Sequence, residues 1–322
     1  MSTIYDVAKM AKVSAMTVSR AINTPEKVAA KSLARIEQAM VELQYRKNPA
    51  ARALVTKKTG LVKVVMSKEL EANNPYFMTL LAGIGQELSR HLMAMLILQE
   101  PQLEVACDGM IVMGLEQGDE DLLDSLPKPL VLFGKGPDHV DWVDIDNEGS
   151  MYSVTRFLID NGHRHLAFVG MDTKEPFMVE REQGFLRALR ERDIPGTPKI
   201  TRVASQVSEA KEHGIRLLRN HSVTAIVCGN DLIALGITQA AAQLGIRIPD
   251  QLSVTGFDGT SVDLMADPKL TTLRQPVFEI GMRLAQILVE RLENKAPPQV
   301  SFQEVHTTEL VVRDSTARAP QA

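Results

Sequence analysis

Two sets of residues in this 322-residue chain have the types and spacing to do chemistry, and the chemistry is recognition rather than catalysis. The first set is Ala15, Met16, Thr17, Ser19 and Arg20: a small side chain, an apolar one, two hydroxyls and a guanidinium in one short run. On the outward face of a helix these suit a DNA major groove. There an arginine bonds guanine bidentately and an apolar side chain meets the thymine methyl, each contact discriminating by roughly 1–3 kcal/mol. The second set is dispersed: Phe133-Gly134-Lys135, Asp146-Asn147, Arg181, Asn230-Asp231 and Asp258 each follow an apolar run or open a helical one. Carboxylates, amides and a guanidinium supply the paired donors and acceptors that a neutral polyhydroxylated ligand needs, beside an apolar surface for a sugar face. Within this set Asp231 is expected to cap a helix opening at Leu232, and Asp146 and Asn147 to serve a helix start and a crossover. No nucleophile–base pair or metal set stands out. His163 has only the neighbouring His165 at ligand spacing and is expected to satisfy a local backbone group, so neither metal, cofactor nor enzymatic activity is expected. Gly83-Ile84-Gly85 lacks the third glycine of a nucleotide fingerprint.

The elements that must position the first set follow from periodicity. Ile4, Val7, Ala8 and Ala11 make an apolar stripe on a helix of about two turns. Ser14 stands before a second series, Val18, Ala21 and Ile22, where its hydroxyl accepts an orphaned backbone N–H. Two short helices crossing on small residues, the second free to face outward, form a helix-turn-helix. A third helix from Ala30 to Gln44 carries Leu33, Ile36, Ala39, Met40 and Leu43 on one face and closes a three-helix core. After Tyr45 the segment Arg46 to Gly60 is basic and rich in Ala, with Asn48 as a candidate N-cap and Pro49 at the first helical position. Two turns are too short to be stably helical alone.

Charge is distributed to match. Residues 1–60 hold eleven Lys or Arg against four Asp or Glu, a balance of +7, which leaves −11 for the remainder of a chain whose net charge is −4. A basic end of this kind is an electrostatic footprint for a phosphate backbone and implies salt-sensitive binding. The N-terminus passes from Met1 into an amphipathic helix with no apolar secretory core, and no run approaches the roughly 20 apolar residues of a membrane span, so a cytoplasmic location without membrane contact is expected. Cys107 and Cys228 lie in apolar surroundings and read as inert thiols.

The second set needs a larger scaffold. From Leu61 to about Val312 the chain alternates apolar strand-like runs (Leu61–Met66, Met93–Leu98, Gly109–Met113, Leu130–Phe133, Leu166–Val169, Ala225–Cys228, Ser253–Gly256) with amphipathic helices, the pattern of doubly wound parallel sheets. Some 260 residues exceed one compact core, so two lobes are expected, with ligand outside the carboxyl ends of the strands. Trp142, at a strand start, is expected to pack. The tail, residues 313–322, reads as disordered.

The head motif D-V-A-x-x-A-x-V-S-x-x-T-V-S-R-x-x-N, from Asp6 to Asn23, resembles the headpiece of the LacI/GalR family of bacterial transcription regulators. The likeness continues through VDIDNEG, NGHRHLAFVG, EREQGFLRAL, TAIVCGNDLIALG, IPDQLSVTGFDG, DPKLTTLRQP and TTELVVRDS, nearly the whole chain. The resemblance implies an α/β protein in which an N-terminal all-α helix-turn-helix domain (residues 1–45) and a hinge helix (46–60) precede a two-lobed, periplasmic-binding-protein-like effector domain (61–312). Lobe 1 would take residues 61–145 and 276–304, and lobe 2 residues 146–275 and 305–312. It implies that Ala15, Met16 and Arg20 read bases and that Thr17, Ser19 and Asn23 mainly touch phosphates. Thr3, Tyr5, Ser14, Asn48 and Ala51 are further DNA contacts on the same basis, and Leu54 wedges into the minor groove. By position Arg181, Asn230 and Asp258 match effector-contacting residues, with Phe133 and Lys135 on a loop of the other lobe. Two departures are visible. Lys47 stands where the family usually has Pro, and only Gln99 to Asp108 separate two strands that relatives join through a full helix, so either that connection is a single turn or the strand order changes locally.

The expected protein is a homodimeric repressor of a carbohydrate operon on a pseudo-palindromic double-stranded operator, controlled by a small-molecule effector, a sugar. A nucleobase, nucleoside or protein co-effector is the alternative within regulation. A sugar-binding transport protein is the alternative outside it, and would call for a signal peptide and no basic head.

Overall fold

The computed structural model of the protein describes residues 2–23, 25–45, 58–66, 74–99, 105–116, 118, 120–127, 129–220, 223–295 and 301–320. The chain divides into two compact units, Met1–Gly60 and Leu61–Ala322.

In the first unit α1 (Ile4–Ala11) opens on a capping box. The Asp6 backbone N–H donates to the Thr3 hydroxyl, and the Asp6 carboxylate accepts from the Thr3 backbone N–H at 2.8 Å, which satisfies two orphaned groups reciprocally. The same bonds hold the Asp6 carboxyl below its ordinary range. Lys12, in the left-handed region at φ 54°, ends the helix. Ser14 then caps α2 (Ala15–Asn23) by accepting the Thr17 N–H at 3.1 Å. A short turn, Pro25–Lys27, leads to α3 (Ala30–Glu42), which stops a residue or two before the expected Gln44. Val7, Ala8, Ala11, Val18, Ala21, Ile36 and Ala39 form a closed core, and its small residues let three short helices approach closely.

The second unit holds two six-stranded sheets. In chain order its elements are β1 (Leu61–Val65), α4 (Pro75–Arg90), β2 (Ala94–Leu98), β3 (Gly109–Met113), α5 (Glu120–Ser125), β4 (Leu130–Phe133) and β5 (Asp141–Ile145). The chain then crosses to α6 (Asn147–Asp160), β6 (Leu166–Met171), α7 (Pro176–Glu191), β7 (Lys199–Val203), α8 (Val207–Asn220), β8 (Ala225–Cys228), α9 (Asp231–Gln243), β9 (Ser253–Asp258), α10 (Val262–Met265) and β10 (Thr271–Arg274). It returns for α11 (Val277–Leu292) and β11 (Gln303–His306), and ends in the other lobe on β12 (Glu309–Val311). The first sheet runs β11-β5-β4-β3-β1-β2, all parallel; the second runs β12-β10-β9-β8-β6-β7, parallel except for β12. Val62, Val64, Ile111 and Val131 pack against α4 and α11, and Phe168 and Val227 against α6 and α7. Ala167, Val169 and Ile226 face α8 and α9. Gly83 and Gly281 have a steric role: a Cβ on Gly83 would stand 2.1 Å from the Phe278 carbonyl, and one on Gly281 2.2 Å from that of Leu80, so the backbones of α4 and α11 approach this closely only because both positions are glycine. Among the described residues no helix is long and apolar enough to cross a membrane.

Strand order does not change at the short connection: β2 and β3 flank β1 in parallel register. Residues 100–104 lie outside the described set, and Val105–Asp108 are not helical. Every β2 residue retains some exposure, with Ile97 43% accessible.

The tail differs from its expectation. Arg313 to Pro320 is packed along lobe 2 rather than disordered: the Val254 N–H donates to the Ser315 carbonyl, Ser315 is fully buried, and Arg313 pairs with Asp263 at 2.6 Å. The His163 ring meets Ala317 O at 3.2 Å and Thr224 Oγ1 at 2.9 Å. A polar, Pro-containing segment reads as disordered because its order comes from backbone bonds to distant strands, which composition does not encode. Trp142 packs against the α5 face of the first sheet.

Candidate functional site

On α2 the first set is displayed as its spacing requires. Val18 and Ala21 face the core, Met16 is 67% exposed, Arg20 is exposed, and Ala15, Thr17 and Ser19 are partly exposed. Met16 and Arg20, one turn apart, share a face: an Arg20 Nη donates to Met16 Sδ at 3.8 Å. The Ser14 and Thr17 hydroxyls lie 2.8 Å apart at the helix start. Thr3 is committed to its capping box, whereas Tyr5 stands out into solvent at 72% exposure. Asn23 closes α2. Asn48, Ala51 and Leu54 of the expected hinge lie outside the described residues.

In the second unit one cavity of about 560 Å³ opens at the carboxyl ends of both sheets, and Phe133, Lys135, Arg181, Asn230 and Asp258 all line it. Five distant segments thus converge as the parallel topology requires. Arg181, on α7, is the buried centre. Its guanidinium lies 3.5 Å from the Phe257 ring centroid and 4.8 Å from that of Phe177. Its Nε donates to Asn147 Oδ1 at 2.9 Å and its Nη1 to Gly229 O at 2.7 Å, which aims the remaining edge of the fork into the cavity. Burial pulls its pKa below the ordinary value. Asp258 stands at the end of β9 in a strained backbone conformation, φ 121°, and accepts from Gln275 Nε2 at 2.9 Å. Gln275 in turn accepts from the Tyr76 hydroxyl at 3.1 Å, joining α4 to lobe 2. Burial, opposed by Arg181, pushes the Asp258 carboxyl up to about 7.

The other wall is the loop after β4. Phe133 stacks on Tyr76 with ring centroids 6.4 Å apart. Lys135 donates its backbone N–H to Asp144 Oδ2 at 3.2 Å and its Nζ to Glu180 Oε1 at 2.6 Å, an ion pair between the lobes. Glu180 Oε2 is buried and without a partner. Burial raises the Asp144 carboxyl to about 6, and also raises that of Glu175, which opens α7. Among the described lining residues five carboxylates (Glu116, Asp144, Glu175, Glu180, Asp258) face two cations, Lys135 and Arg181. Such a wall disfavours an anion and suits a donor-rich neutral ligand lying between aromatic faces.

Residues 3–48 match the description "Bacterial regulatory proteins, lacI family", and residues 155–316 match "Periplasmic binding protein-like domain". Over 319 residues the chain is 39% identical to an uncharacterised HTH-type transcriptional regulator, YvdE, of Bacillus subtilis (strain 168), covering 98% of this chain and 100% of that one. The chain belongs to the lacI family of bacterial regulatory proteins. It is a DNA-binding transcription regulator, not an enzyme. Its fold is that of the lac repressor dimer solved with operator and the anti-inducer ONPF (TM-score 0.86, 23% identity, 98% of this chain and 99% of that one). It is also similar to a transcriptional regulator CelR–cellobiose complex (TM-score 0.73, 26% identity, 98% and 100% covered).

The geometry of this lacI-family chain corrects one expectation and refines another. Asp231 is not the cap of α9: Asn230 is, accepting the Ile233 N–H at 2.9 Å. Asp231 instead accepts from Gly259 N–H at 2.8 Å and Thr272 Oγ1 at 2.7 Å, bracing the Asp258 loop. The cap shifts by one residue because Asn230 is the last extended residue before the helix. Asn230 therefore reaches the cavity with its side-chain oxygen already engaged and one N–H given to Ser205. Asp146 does cap α6, through Gly149 N–H at 2.9 Å, and Asn147 orients Arg181. Sequence reasoning missed Tyr76, Phe77, Glu175, Phe177, Glu180 and Gln275. Glu180 and Gln275 were in view within EREQGFLRAL and DPKLTTLRQP, beside residues that were singled out.

Proposed function

We propose that the chain is a cytoplasmic, homodimeric repressor whose operator affinity is set by a neutral sugar held in the 560 Å³ cavity. Residues 1–45 would read DNA through Ala15, Met16 and Arg20, with Thr3, Tyr5, Ser14, Thr17, Ser19 and Asn23 at the backbone. Residues 46–60 would serve as hinge, with Asn48, Ala51 and Leu54 at the minor groove, and 61–312 as effector body. The observation that carries the sugar is the convergence on one cavity of the Arg181 guanidinium and the Asp258 carboxylate with the Phe133, Tyr76 and Phe177 rings, planar polar groups beside apolar faces. The similar fold of CelR, solved as a complex with cellobiose, supports the class.

Self-association is supported by exposed apolar residues on the body. Met78 on α4 is 58% exposed, and Leu264 and Met265 on α10 are 52% and 77% exposed. Met78 also lines a shallow depression with Pro75, Ala82 and the Gly259–Ser261 loop before α10, and apolar surface that gathers at one place marks interfaces. An effector shifts such a switch only by its differential affinity for two lobe arrangements. Lys135–Glu180 and Tyr76–Gln275 are contacts that lobe movement would make or break. Calorimetry across neutral mono- and disaccharides tests the class: saturable binding is expected. Silence across sugars with binding of a nucleobase or a phosphocarrier protein would overturn it.

A further inference from the structure

Of the fifteen methionines in the chain, Met66, Met110, Met113, Met151 and Met178 are buried in the body, where a dissolved oxidant does not reach the sulfur. Met16 stands apart in place and in contact. It is 67% exposed on α2, lies outside the core that Val18 and Ala21 help to build, and its sulfur accepts from an Arg20 Nη at 3.8 Å. A thioether is a weak acceptor, so the guanidinium gives up little when it leaves the sulfur for a guanine edge. An apolar side chain displayed in this way contributes nothing to folding; it is what contact with a thymine methyl calls for.

We propose that Met16 is a reversible oxidation site, at which a peroxide converts the thioether to the sulfoxide and so switches off operator recognition. This rests on the reading of α2 as the base-reading helix. In the step a sulfur lone pair takes one oxygen atom from the peroxide: the O–O bond breaks, an S–O bond forms and water leaves, with sulfur oxidised and the peroxide reduced by two electrons. A methionine sulfoxide reductase reverses it, a dithiol becoming a disulfide as the oxygen leaves in water. Two losses follow from the one added atom. The side chain turns polar, and its oxygen meets a thymine methyl that offers it no donor. Arg20 already sits against that sulfur, and a charge-assisted N–H···O bond is roughly twice as strong as a neutral one. The oxidised helix thus holds its own guanidinium along α2, in competition with guanine O6 and N7. Neither loss touches the core, so the head stays folded while it ceases to discriminate. Contacts to phosphate, which carry non-specific affinity, stay as they were.

The test uses the full-length protein and hydrogen peroxide. An operator is selected from a random DNA pool with untreated protein. Affinities for that operator and for random DNA are measured by fluorescence anisotropy before oxidation, after it, and after the two stereospecific methionine sulfoxide reductases have acted, while peptide mass spectrometry follows each methionine. Conversion of Met16 should lower operator affinity at least tenfold, leave random-DNA affinity and the thermal midpoint near their starting values, and be undone by the reductases. Met16→Leu, whatever operator affinity it starts from, should keep that affinity through the same treatment. Met10→Leu, which removes a second exposed methionine of the head, on α1 at 44% exposure, should respond as the parent does. Bound operator should slow sulfoxide formation at Met16. A parent that keeps its operator affinity with Met16 converted, a Met16→Leu protein that loses affinity as the parent does, or a Met16 sulfur no more reactive than that of buried Met66 overturns the switch and leaves the reading of α2 standing. Equal oxidation of Met16 in free and operator-bound protein overturns its place at the base edges, and the switch with it.

Discussion

On α2 the side chains assigned to DNA stand in solvent, Met16 at 67% exposure, and their supporting core is a handful of small residues behind them. In the cleft, by contrast, Arg181 is 5% exposed, gripped by two aromatic rings, an amide and a carbonyl, and Asp258 is held by Gln275 in a strained backbone. The difference separates two ways of building recognition. A surface that meets a polyanion needs exposed, loosely held groups, because the partner supplies the charge that orders them. A site for a neutral polyol must desolvate its polar groups in advance and keep them satisfied by one another, since the ligand brings no charge to offset that cost. Recognition by α2 is therefore expected to be separable from folding, and recognition in the cleft to be coupled to it.

The sharpest way to break that contrast is to truncate one guanidinium in each region. Arg181→Ala should lower effector affinity by more than 100-fold. It should also cost about 3 kcal/mol of stability, because it leaves Asn147 and the Gly229 carbonyl without their buried donor and removes the charge that offsets the buried Asp258 carboxyl; calorimetry and denaturant unfolding read the two effects. Arg20→Ala should reduce discrimination between operator and random DNA by roughly 10- to 100-fold, from the loss of about 1–3 kcal/mol of base contact, with no change in thermal midpoint. An Arg20→Ala protein that unfolded much more easily would erase the distinction.

Protons sharpen the comparison next. Burial places Asp258 at about 7 and Asp144 at about 6, above the ordinary aspartate value near 3.9. The folded body thus keeps protons that the unfolded chain gives up. These groups make it less stable as pH rises from about 4 to 7. Ligand hydroxyls that donate to the carboxylates favour the charged forms, so binding should expel a proton. Effector affinity should then rise several-fold between pH 5.5 and 7.5 and level off above. Calorimetry in buffers of different ionisation heat counts the proton, and Asp258→Asn should flatten the profile. Smallest is the inter-lobe pair. Lys135 and Glu180 are 45% and 22% exposed, so solvent screening limits the pair to less than about 1 kcal/mol. Lys135→Ala should weaken effector binding only a few-fold by calorimetry, and less so at high salt.

The same contrast explains what the sequence revealed. The head was legible because its signals are local: Ser14 three residues before the N–H it accepts, Val7 and Ala11 one turn apart. Seven strands were legible as apolar runs, Asp258 as a polar residue at the end of one, and Arg181 by its place in EREQGFLRAL; β5 showed only in Trp142 at its start, and β7, β10, β11 and β12, which alternate or carry polar residues, were not named as strands. Tyr76 and Gln275 were not, because they meet across 199 residues of chain and neither looks unusual where it stands. Asp231 was misread by one residue because a cap depends on where the extended backbone ends. Ser315, buried under β9, carried no sign of burial in a polar tail.

If ligand in the cleft controls the head, as proposed, operator release must follow saturation of the cleft, and one titration tests this most directly. A pseudo-palindromic operator is first selected from a random DNA pool with the unliganded protein; fluorescence anisotropy of the labelled operator complex is then followed as the tightest-binding sugar is added. The parent should release the operator as ligand saturates the cleft, while Arg181→Ala binds the operator equally well and stays bound throughout. Release of Arg181→Ala at the parent's ligand concentration, or a parent whose operator affinity is indifferent to a ligand that saturates it, would contradict the account.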